Sequence, residues 1–313
     1  MQNSKQSSFT NGAFFSLISA SLKGISQVIL IENALTGLII LIAIAIASLP
    51  IGIITIASAL IGTLIGHAGG ADQKTVKQGL FGYNSVLAGI ALSLNLTGGQ
   101  RWIIALAGAA VAALLTAAMM HVMRSSGIPV LTFPFIAVTW IVLLASYHLG
   151  LIKLSPNLVP QTLSHWKLST IGHIDWKDGL VRGIGQIFLQ DKFWSGIIIL
   201  IGIFCAGWKL GLYTALGTVI GWVSAYMLGA DITSINLGLY GYNAVLTIIA
   251  VAAVFDIRSR FAPLTGIIAA IVTVPITAGV DSYLLPFGLP ALTMPFVLTS
   301  WLFIGARKVF PKL

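Results

Sequence analysis

Two threonines recur in the same short motif, once in each half of the chain. Thr132 lies in GIPVLTFPF (residues 127–135) and Thr293 in GLPALTMPF (residues 288–296), each two residues before a proline in an apolar run. Proline removes a backbone donor and disfavours helix at the residue before it, so helical backbone should be interrupted at both threonines. Non-helical backbone inside a membrane survives only where it is buried in protein or lines a watery cavity. The pair therefore predicts a binding or permeation site.

Two glutamines are spaced with the same regularity. Gln27 in KGISQV and Gln186 in RGIGQI each precede an asparagine by 57 residues, Asn84 in GLFGYNSVL and Asn243 in GLYGYNAVL. The intervals from these asparagines to the two threonines are 48 and 50 residues, a difference that a slightly longer loop explains. Chance similarity between apolar segments would not keep Gln, Asn and Thr in register, so the chain consists of two homologous halves.

The composition indicates whether the protein folds in water or in a membrane. Hydrophobic residues make up 57% of the chain and charged residues only 8%, against about 25% charged residues in an average soluble domain. Mean hydropathy is +0.98. The net charge of +9 comes from 17 Lys and Arg spread over short loops and ends, which favours charges that orient membrane helices over nucleic-acid binding. The sequence predicts an all-α polytopic membrane protein.

The apolar segments follow one another in two sets of six. They lie near residues 11–31, 34–49, 50–68, 79–97, 101–122 and 128–150, and near 183–190, 193–208, 210–229, 238–255, 261–280 and 290–306. We expect a first repeat at 11–150, a linker at 151–180 and a second repeat at 181–308. A full span needs about 20 apolar residues, so the shorter runs indicate half-spanning or re-entrant helices.

The number of crossings decides how the halves are oriented. One re-entrant segment among the six would leave five crossings in each half, and an odd number inverts the second half relative to the first. The basic residues at both ends, Lys5 and the group Arg307, Lys308 and Lys312, favour two cytoplasmic termini, as an even total of crossings requires.

The ionisable residues favour passive transport over coupled transport or catalysis. The carboxylates are expected at loops or helix ends, whereas an ion-driven carrier normally places one at mid-membrane. His67, His121 and His148 fall near segment ends, which argues against a proton relay without excluding one. The sequence has a single cysteine, Cys205, and neither HExxH nor CxxC, so we expect no enzyme, no metal and no cofactor.

The paired motifs resemble those of the urea transporter family. The resemblance rests on LTFPF with LTMPF, on GLFGYN with GLYGYN, and on the glutamine segments followed by NALTG and KFWSG. It covers residues 17–302 and implies a passive, channel-like facilitator of urea that forms a homotrimer in the lipid bilayer. Each protomer would hold one pore between two inverted repeats, each of five transmembrane helices plus a half-spanning re-entrant pore helix. The alternative is a coupled transporter, or an ammonia or small-amide channel, of similar architecture.

The chemistry of urea agrees with the paired residues. Urea is neutral and planar and offers four N–H donors, so a dry pore must replace water by acceptor oxygens along its path. By the resemblance, Gln27 and Gln186 accept urea N–H groups at two outer sites, and Thr132 and Thr293 accept them at the centre. The flat walls that reject hydrated ions would come from six residues. These are Val28, Tyr83, Leu87, Ile187, Tyr242 and Leu246.

Two departures from the family pattern concern the slot walls. Leu30 and Leu189 stand three residues past the glutamines, where an aromatic residue is expected in at least one half. Tyr83 and Tyr242 stand where phenylalanine is possible, and each adds a hydroxyl that faces the pore or packs outside it. Both departures affect the slot walls, which would set the preference among urea, its analogues and ammonia.

Other residues in the motifs have simpler explanations. Gln and Thr in membrane helices commonly serve hydrogen bonds between helices. Asn84 and Asn243 are expected to brace interrupted backbone rather than to touch the substrate. Trp140 and Trp301, each eight residues after a threonine, are expected to be packing residues or interfacial anchors. The length and the lack of a long glycosylated insertion favour a bacterial inner-membrane protein.

Overall fold

The computed structural model describes residues 2–255 and 260–310, with side chains from residue 14 onward apart from that of His165. The α-helices in this part of the chain are α1 (Gln2–Ser26), α2 (Ala34–Ala47), α3 (Leu49–Ala68), α4 (Gln73–Lys77), α5 (Gly82–Asn95), α6 (Arg101–Met123), α7 (Phe133–Ala145), α8 (Trp176–Gly185), α9 (Phe193–Ala206), α10 (Trp208–Met227), α11 (Ile232–Asn236), α12 (Gly241–Ile249), α13 (Ala262–Leu284) and α14 (Met294–Val309). A two-stranded antiparallel sheet joins β1 (Leu96–Thr97) to β2 (Lys153–Leu154).

Each of the twelve predicted apolar segments overlaps an α-helix, although 183–190 holds only the end of α8 and a 3₁₀ turn, and 128–150 is helical only over α7. They correspond to α1, α2, α3, α5, α6 and α7 in the first set and to α8, α9, α10, α12, α13 and α14 in the second. The short helices α4 and α11 precede α5 and α12 at equivalent places, and the sequence patterns did not reveal them. The last turns of α12 continue as a π-helix over Ala250–Val254.

Helix length separates full spans from shorter elements. The four helices α3, α6, α10 and α13 are long and apolar enough to cross a membrane, whereas α7 and α12 are shorter apolar helices. The pairs α1/α2 and α8/α9 pass the same test together but bend by 77° and 71°. Within residues 2–255 and 260–310 this gives four candidate spans, or up to six if each bent pair is one span. The chain is thus a helical integral membrane protein.

The bend in each pair has a local cause that both halves share. A 3₁₀ turn over Gln27–Ile29 ends at Leu30, and one over Gln186–Phe188 ends at Leu189. Both leucines adopt left-handed backbone, with φ of 61° and 55°. Left-handed backbone costs a residue with a Cβ about 1–2 kcal/mol. Surrounding contacts must therefore hold each bend. Gln27 and Gln186 are the first residues of these 3₁₀ turns, so both predicted glutamines lie where the helical backbone is broken.

The two halves share one apolar core and exchange hydrogen bonds. Thr36 Oγ1 on α2 donates to the Gly202 carbonyl on α9 at 2.9 Å, and Ser195 Oγ on α9 donates to the Ala43 carbonyl on α2 at 3.1 Å. Both hydroxyls are buried. Such hydrogen bonds between apolar helices fix their relative position inside a membrane, where hydrophobic burial discriminates little. The contact between α2 and α9 is therefore one of the anchors between the halves.

The predicted linker is bonded to both halves. In the first half, β2 pairs with β1 and the Ser155 N–H donates to the Asn95 carbonyl at 2.8 Å. Two further bonds reach the second half. The Gln161 N–H donates to the Leu285 carbonyl at 3.1 Å, and the Ile232 N–H donates to the Ser169 carbonyl at 3.0 Å. Helix α8 begins at Trp176, so the boundary expected at residue 181 falls inside a helix.

Candidate functional site

The two threonines meet between the halves. Thr132 directly precedes α7 and Thr293 directly precedes α14, with a proline at the second position of each helix. The helices therefore start where the Thr-x-Pro pattern predicts, and the expected interruption of helical backbone is confirmed. The two hydroxyl oxygens lie 2.6 Å apart in a direct hydrogen bond. Both side chains are buried, with exposures of 1% and 3%.

Each threonine follows a leucine in left-handed backbone. Leu131 has a φ of 52° and Leu292 a φ of 53°. This conformation is strained for a leucine, and such strain persists only where the surroundings hold it. It turns the peptide before each helix so that the leucine carbonyl is free of the helical ladder and available to side chains.

The asparagines brace this strained backbone, as expected. Asn84 Nδ2 donates to the Leu131 carbonyl at 3.3 Å, and its Oδ1 accepts the Phe135 N–H at 3.3 Å. A third bond joins Asn84 Nδ2 to Thr116 Oγ1 at 2.9 Å. The second half repeats the first two bonds at 3.3 Å each through Asn243, Leu292 and Phe296. These fully buried amides hold the start of each half's last helix.

The tyrosine hydroxyls bind the same two carbonyls. Tyr83 donates to the Leu131 carbonyl at 2.8 Å and Tyr242 donates to the Leu292 carbonyl at 2.6 Å. The hydroxyls therefore do not point away from the interrupted helices. Both hydroxyls are thus held at the start of the last helix of their own half.

The glutamines have their amide nitrogens tied to backbone. Gln27 Nε2 donates to the Gln78 carbonyl at 3.0 Å, and Gln186 Nε2 donates to the Leu237 carbonyl at 3.4 Å. A glutamine amide has donors only on nitrogen and acceptor capacity only on oxygen. Both Oε1 atoms are thereby left as the groups that can receive a donor from a solute.

Two cavities contain most of the predicted residues. The first vestibule, of about 490 Å³, is lined by Gln27, Leu30, Tyr83 and Leu131 among others. The second vestibule, of about 270 Å³, is lined by Leu87, Gln186, Ile187, Tyr242 and Thr293 among others. Each vestibule thus combines one of the glutamines with one of the tyrosines. The threonine pair connects to the second vestibule through Thr293.

Comparison with known proteins identifies the relatives of this chain. The family model described as "Urea transporter" matches residues 18–308. The chain belongs to the urea transporter family. It is similar to proteins named Urea transporter 1 from Ovis aries, Capra hircus and Mus musculus. Each is 26% identical over 295 residues, which cover 90% of this chain and 75% of the relative. The resemblance stated from the motifs is therefore confirmed.

Two predicted wall residues do not line either vestibule. Val28 and Leu246 are fully buried and belong to the apolar core, and neither lines the first or the second vestibule. Their partners in the prediction, Ile187 and Leu87, do line the second vestibule. The vestibules are therefore not equivalent in their walls.

The two tryptophans form hydrogen bonds between the halves, a role that was not predicted from the sequence. Trp140 Nε1 donates to the Pro290 carbonyl at 2.9 Å, and Trp301 Nε1 donates to the Pro129 carbonyl at 2.8 Å. Each indole thus crosses from its own half to the proline three residues before the other half's threonine. The matched spacing of eight residues after each threonine was the only signal of this role. The two bonds tie the threonine motifs to each other.

Of the described carboxylates, Glu32 lines the first vestibule and Asp281 lines the second, while others cap helices. Asp72 and Asp231 cap α4 and α11 by accepting the N–H groups of Thr75 and Ser234. The hydrogen bonds from Thr75 lower the pKa of Asp72. Asp281 lies one turn before the end of α13, as expected of a helix end, and lines the second vestibule. Asp256, also expected at a loop, lies outside the described residues.

Proposed function

We propose that this urea transporter conducts urea passively along a path from the first vestibule, past the threonine pair, to the second vestibule. The observation that carries the proposal is a set of neutral acceptor oxygens, two in the threonine contact between the halves and one on a glutamine in the lining of each vestibule. Gln27 and Gln186 supply one such oxygen in each vestibule, and Thr132 and Thr293 supply two at the centre. The relatives named Urea transporter 1 support urea as the solute.

Acceptor oxygens suit urea because its surface is mainly N–H donors. A buried donor that loses water without finding a new acceptor costs about 1–3 kcal/mol. Amide and hydroxyl oxygens accept hydrogen bonds without carrying a fixed charge, so they bind urea without attracting ions into the path. The path replaces water by protein oxygens, and urea crosses without a large desolvation barrier.

The threonine contact sets the narrowest step. The hydroxyls bond to each other at 2.6 Å, so urea must part them to pass. One neutral hydrogen bond contributes about 0.5–1.5 kcal/mol net, and bonds from the two hydroxyls to urea offset its loss. The threonine pair therefore opens for a donor-rich solute at a small net cost.

Passive flux fits the charges along the path. The four side chains that supply acceptors are uncharged, and the ionisable groups lining the vestibules are Glu32 and Arg124 in the first and Asp281 in the second. A coupled transporter would use such a group as its ion or proton site, and Asp281 is the residue available for that alternative. Flux that is unchanged when the proton gradient is collapsed excludes proton coupling.

The architecture in the membrane is part of the proposal. Halves 11–150 and 181–308 exchange matched contacts in both directions, Thr36 and Trp140 in one and Ser195 and Trp301 in the other. Reciprocal contacts of this kind are expected of elements related by a two-fold axis. We propose two inverted repeats, each of five transmembrane helices plus a half-spanning pore helix. We propose the homotrimer from the family resemblance, the two cytoplasmic termini from the basic ends, and the bacterial inner membrane from the length and the lack of a long glycosylated insertion.

A reversible cross-link tests the path. Replacing the exposed Cys205 by Ser and then making Thr132→Cys and Thr293→Cys places two thiols where oxygens now lie 2.6 Å apart, close enough to form a disulfide. Oxidation should stop urea flux through reconstituted protein, and a reductant should restore it. Each single-cysteine variant is the control and should not respond. Full flux through protein shown by mass spectrometry to be cross-linked would refute the path.

A further inference from the structure

The two tyrosine hydroxyls are fixed in one hydrogen-bonding direction. Tyr83 lies 2.8 Å from the Leu131 carbonyl and Tyr242 lies 2.6 Å from the Leu292 carbonyl. A carbonyl only accepts, so the hydroxyl hydrogen must point at it in both halves. The phenol oxygen then has lone pairs but no hydrogen left for another partner. Toward any solute, each hydroxyl is an acceptor only.

The leucine carbonyls themselves have no capacity left. A carbonyl oxygen has two lone pairs, and Leu131 uses them for Tyr83 Oη and Asn84 Nδ2. Leu292 uses its two in the same way, for Tyr242 and Asn243. Each tyrosine oxygen keeps a lone pair, and the tyrosine, unlike the asparagine of its cluster, lines a vestibule.

Each tyrosine belongs to the lining of one vestibule. Tyr83 lines the first vestibule together with Gln27 and Leu131. Tyr242 lines the second vestibule together with Gln186 and Thr293. Only 7% and 9% of these side chains is exposed, so water competes poorly for the hydroxyl and an unpaired solute N–H is costly there.

We propose that the hydroxyl oxygens of Tyr83 and Tyr242 each accept a hydrogen bond from a urea N–H during passage. The tyrosines are then specificity-determining residues and not only flat walls, and each vestibule has a second neutral acceptor beside its glutamine. The proposal rests on the proposed function, since it requires urea to pass through both vestibules. It also gives a role to the hydroxyl that phenylalanine at the same position would lack.

Phenylalanine substitution is the first test. Tyr83→Phe and Tyr242→Phe keep the ring and remove the oxygen, so each variant should conduct urea about two- to tenfold more slowly, the factor expected for one net hydrogen bond. Flux is measured by stopped-flow light scattering on proteoliposomes with matched protein content. Dimethyl sulfoxide, a small polar solute without an N–H donor, is the control, and its flux should not differ between the parent protein and the phenylalanine variants.

A second variant separates acceptance from bracing. Replacing Tyr83 by 3,5-difluorotyrosine keeps the shape and strengthens the hydroxyl as a donor to Leu131, but weakens its oxygen as an acceptor. Acceptance from urea predicts slower flux at an acidic pH where the phenol stays protonated. Bracing alone predicts flux equal to or faster than that of the parent protein. This variant decides the matter even if Tyr83→Phe fails to fold.

The outcomes distinguish the two proposals. If the parent protein conducts urea and Thr132→Val slows it, but both tyrosine changes leave flux unaltered, the acceptor role of the hydroxyls is refuted and the proposed function stands. If the parent protein moves urea no faster than lipid alone, both are refuted. Slower flux in both tyrosine variants, with normal thermal stability, supports the acceptor role.

Discussion

Removal of one central hydroxyl should slow urea passage strongly. Thr132→Val and Thr293→Val keep the branched shape but delete an oxygen that now lies 2.6 Å from its partner in a buried site. A urea N–H that passes this point then finds one acceptor fewer, at a cost of about 1–3 kcal/mol. Since each 1.36 kcal/mol is a factor of ten in rate, flux should fall about 5- to 150-fold.

The assay is stopped-flow urea efflux from proteoliposomes, and serine variants are the matched controls. Thr132→Ser and Thr293→Ser keep the hydroxyl and lose only a methyl group, so they should conduct nearly as well as the parent protein. The double valine variant should lose less than the product of the two single effects, because the first change already removes the shared hydrogen bond. Valine variants that fold normally and conduct like their serine controls would refute the role of the threonine pair.

Three further predictions concern the framework of the path. Trp140→Phe and Trp301→Phe each delete one hydrogen bond of 2.8–2.9 Å between the halves. Each should destabilise the protein by about 1 kcal/mol, measured as a lower midpoint of thermal unfolding in detergent. An unchanged midpoint in both variants would show that these bonds do not stabilise the fold. Asn84→Leu removes the hydrogen bonds that hold the strained peptide before α7 and leaves buried backbone groups unpaired. Each unpaired group should cost about 1–3 kcal/mol, so the yield of folded protein should fall. A normal yield and a normal unfolding midpoint would contradict the bracing role. Gly37→Ala on α2 makes a Cβ clash with the Leu22 carbonyl on α1 and should cost about 1–3 kcal/mol by overpacking. Gly150→Ala meets nothing within 4 Å and is the matched control. Equal unfolding midpoints for the two variants would contradict the close approach of α1 to α2.

The sequence predicted the interrupted elements well because their causes are local. Proline after Thr132 and Thr293 determines where each last helix can begin, and this depends on neighbouring residues alone. The bracing role of Asn84 and Asn243 also followed, since a buried amide beside broken backbone has few other uses. The repeat spacing then placed these residues together without any knowledge of the packing.

The remaining contacts depended on tertiary structure that the spacing does not contain. Trp140 and Trp301 reach carbonyls 150 and 172 residues away, so only the arrangement of the halves reveals the bonds. The wall role of Val28 and Leu246 stays a prediction from the family resemblance; both side chains are fully buried, as are those of Leu87 and Ile187. Repeat symmetry also hides residues at which the halves differ, such as the vestibule residue Asp281.

The measurement that tests the account most directly is urea efflux from proteoliposomes with no ion gradient, compared with empty liposomes of the same lipid. The proposed path predicts efflux far faster than the lipid control, rising linearly with urea concentration and unchanged when the proton gradient is collapsed. Efflux equal to that of empty liposomes, or efflux that appears only with an imposed ion gradient, would contradict passive conduction of urea past Thr132 and Thr293.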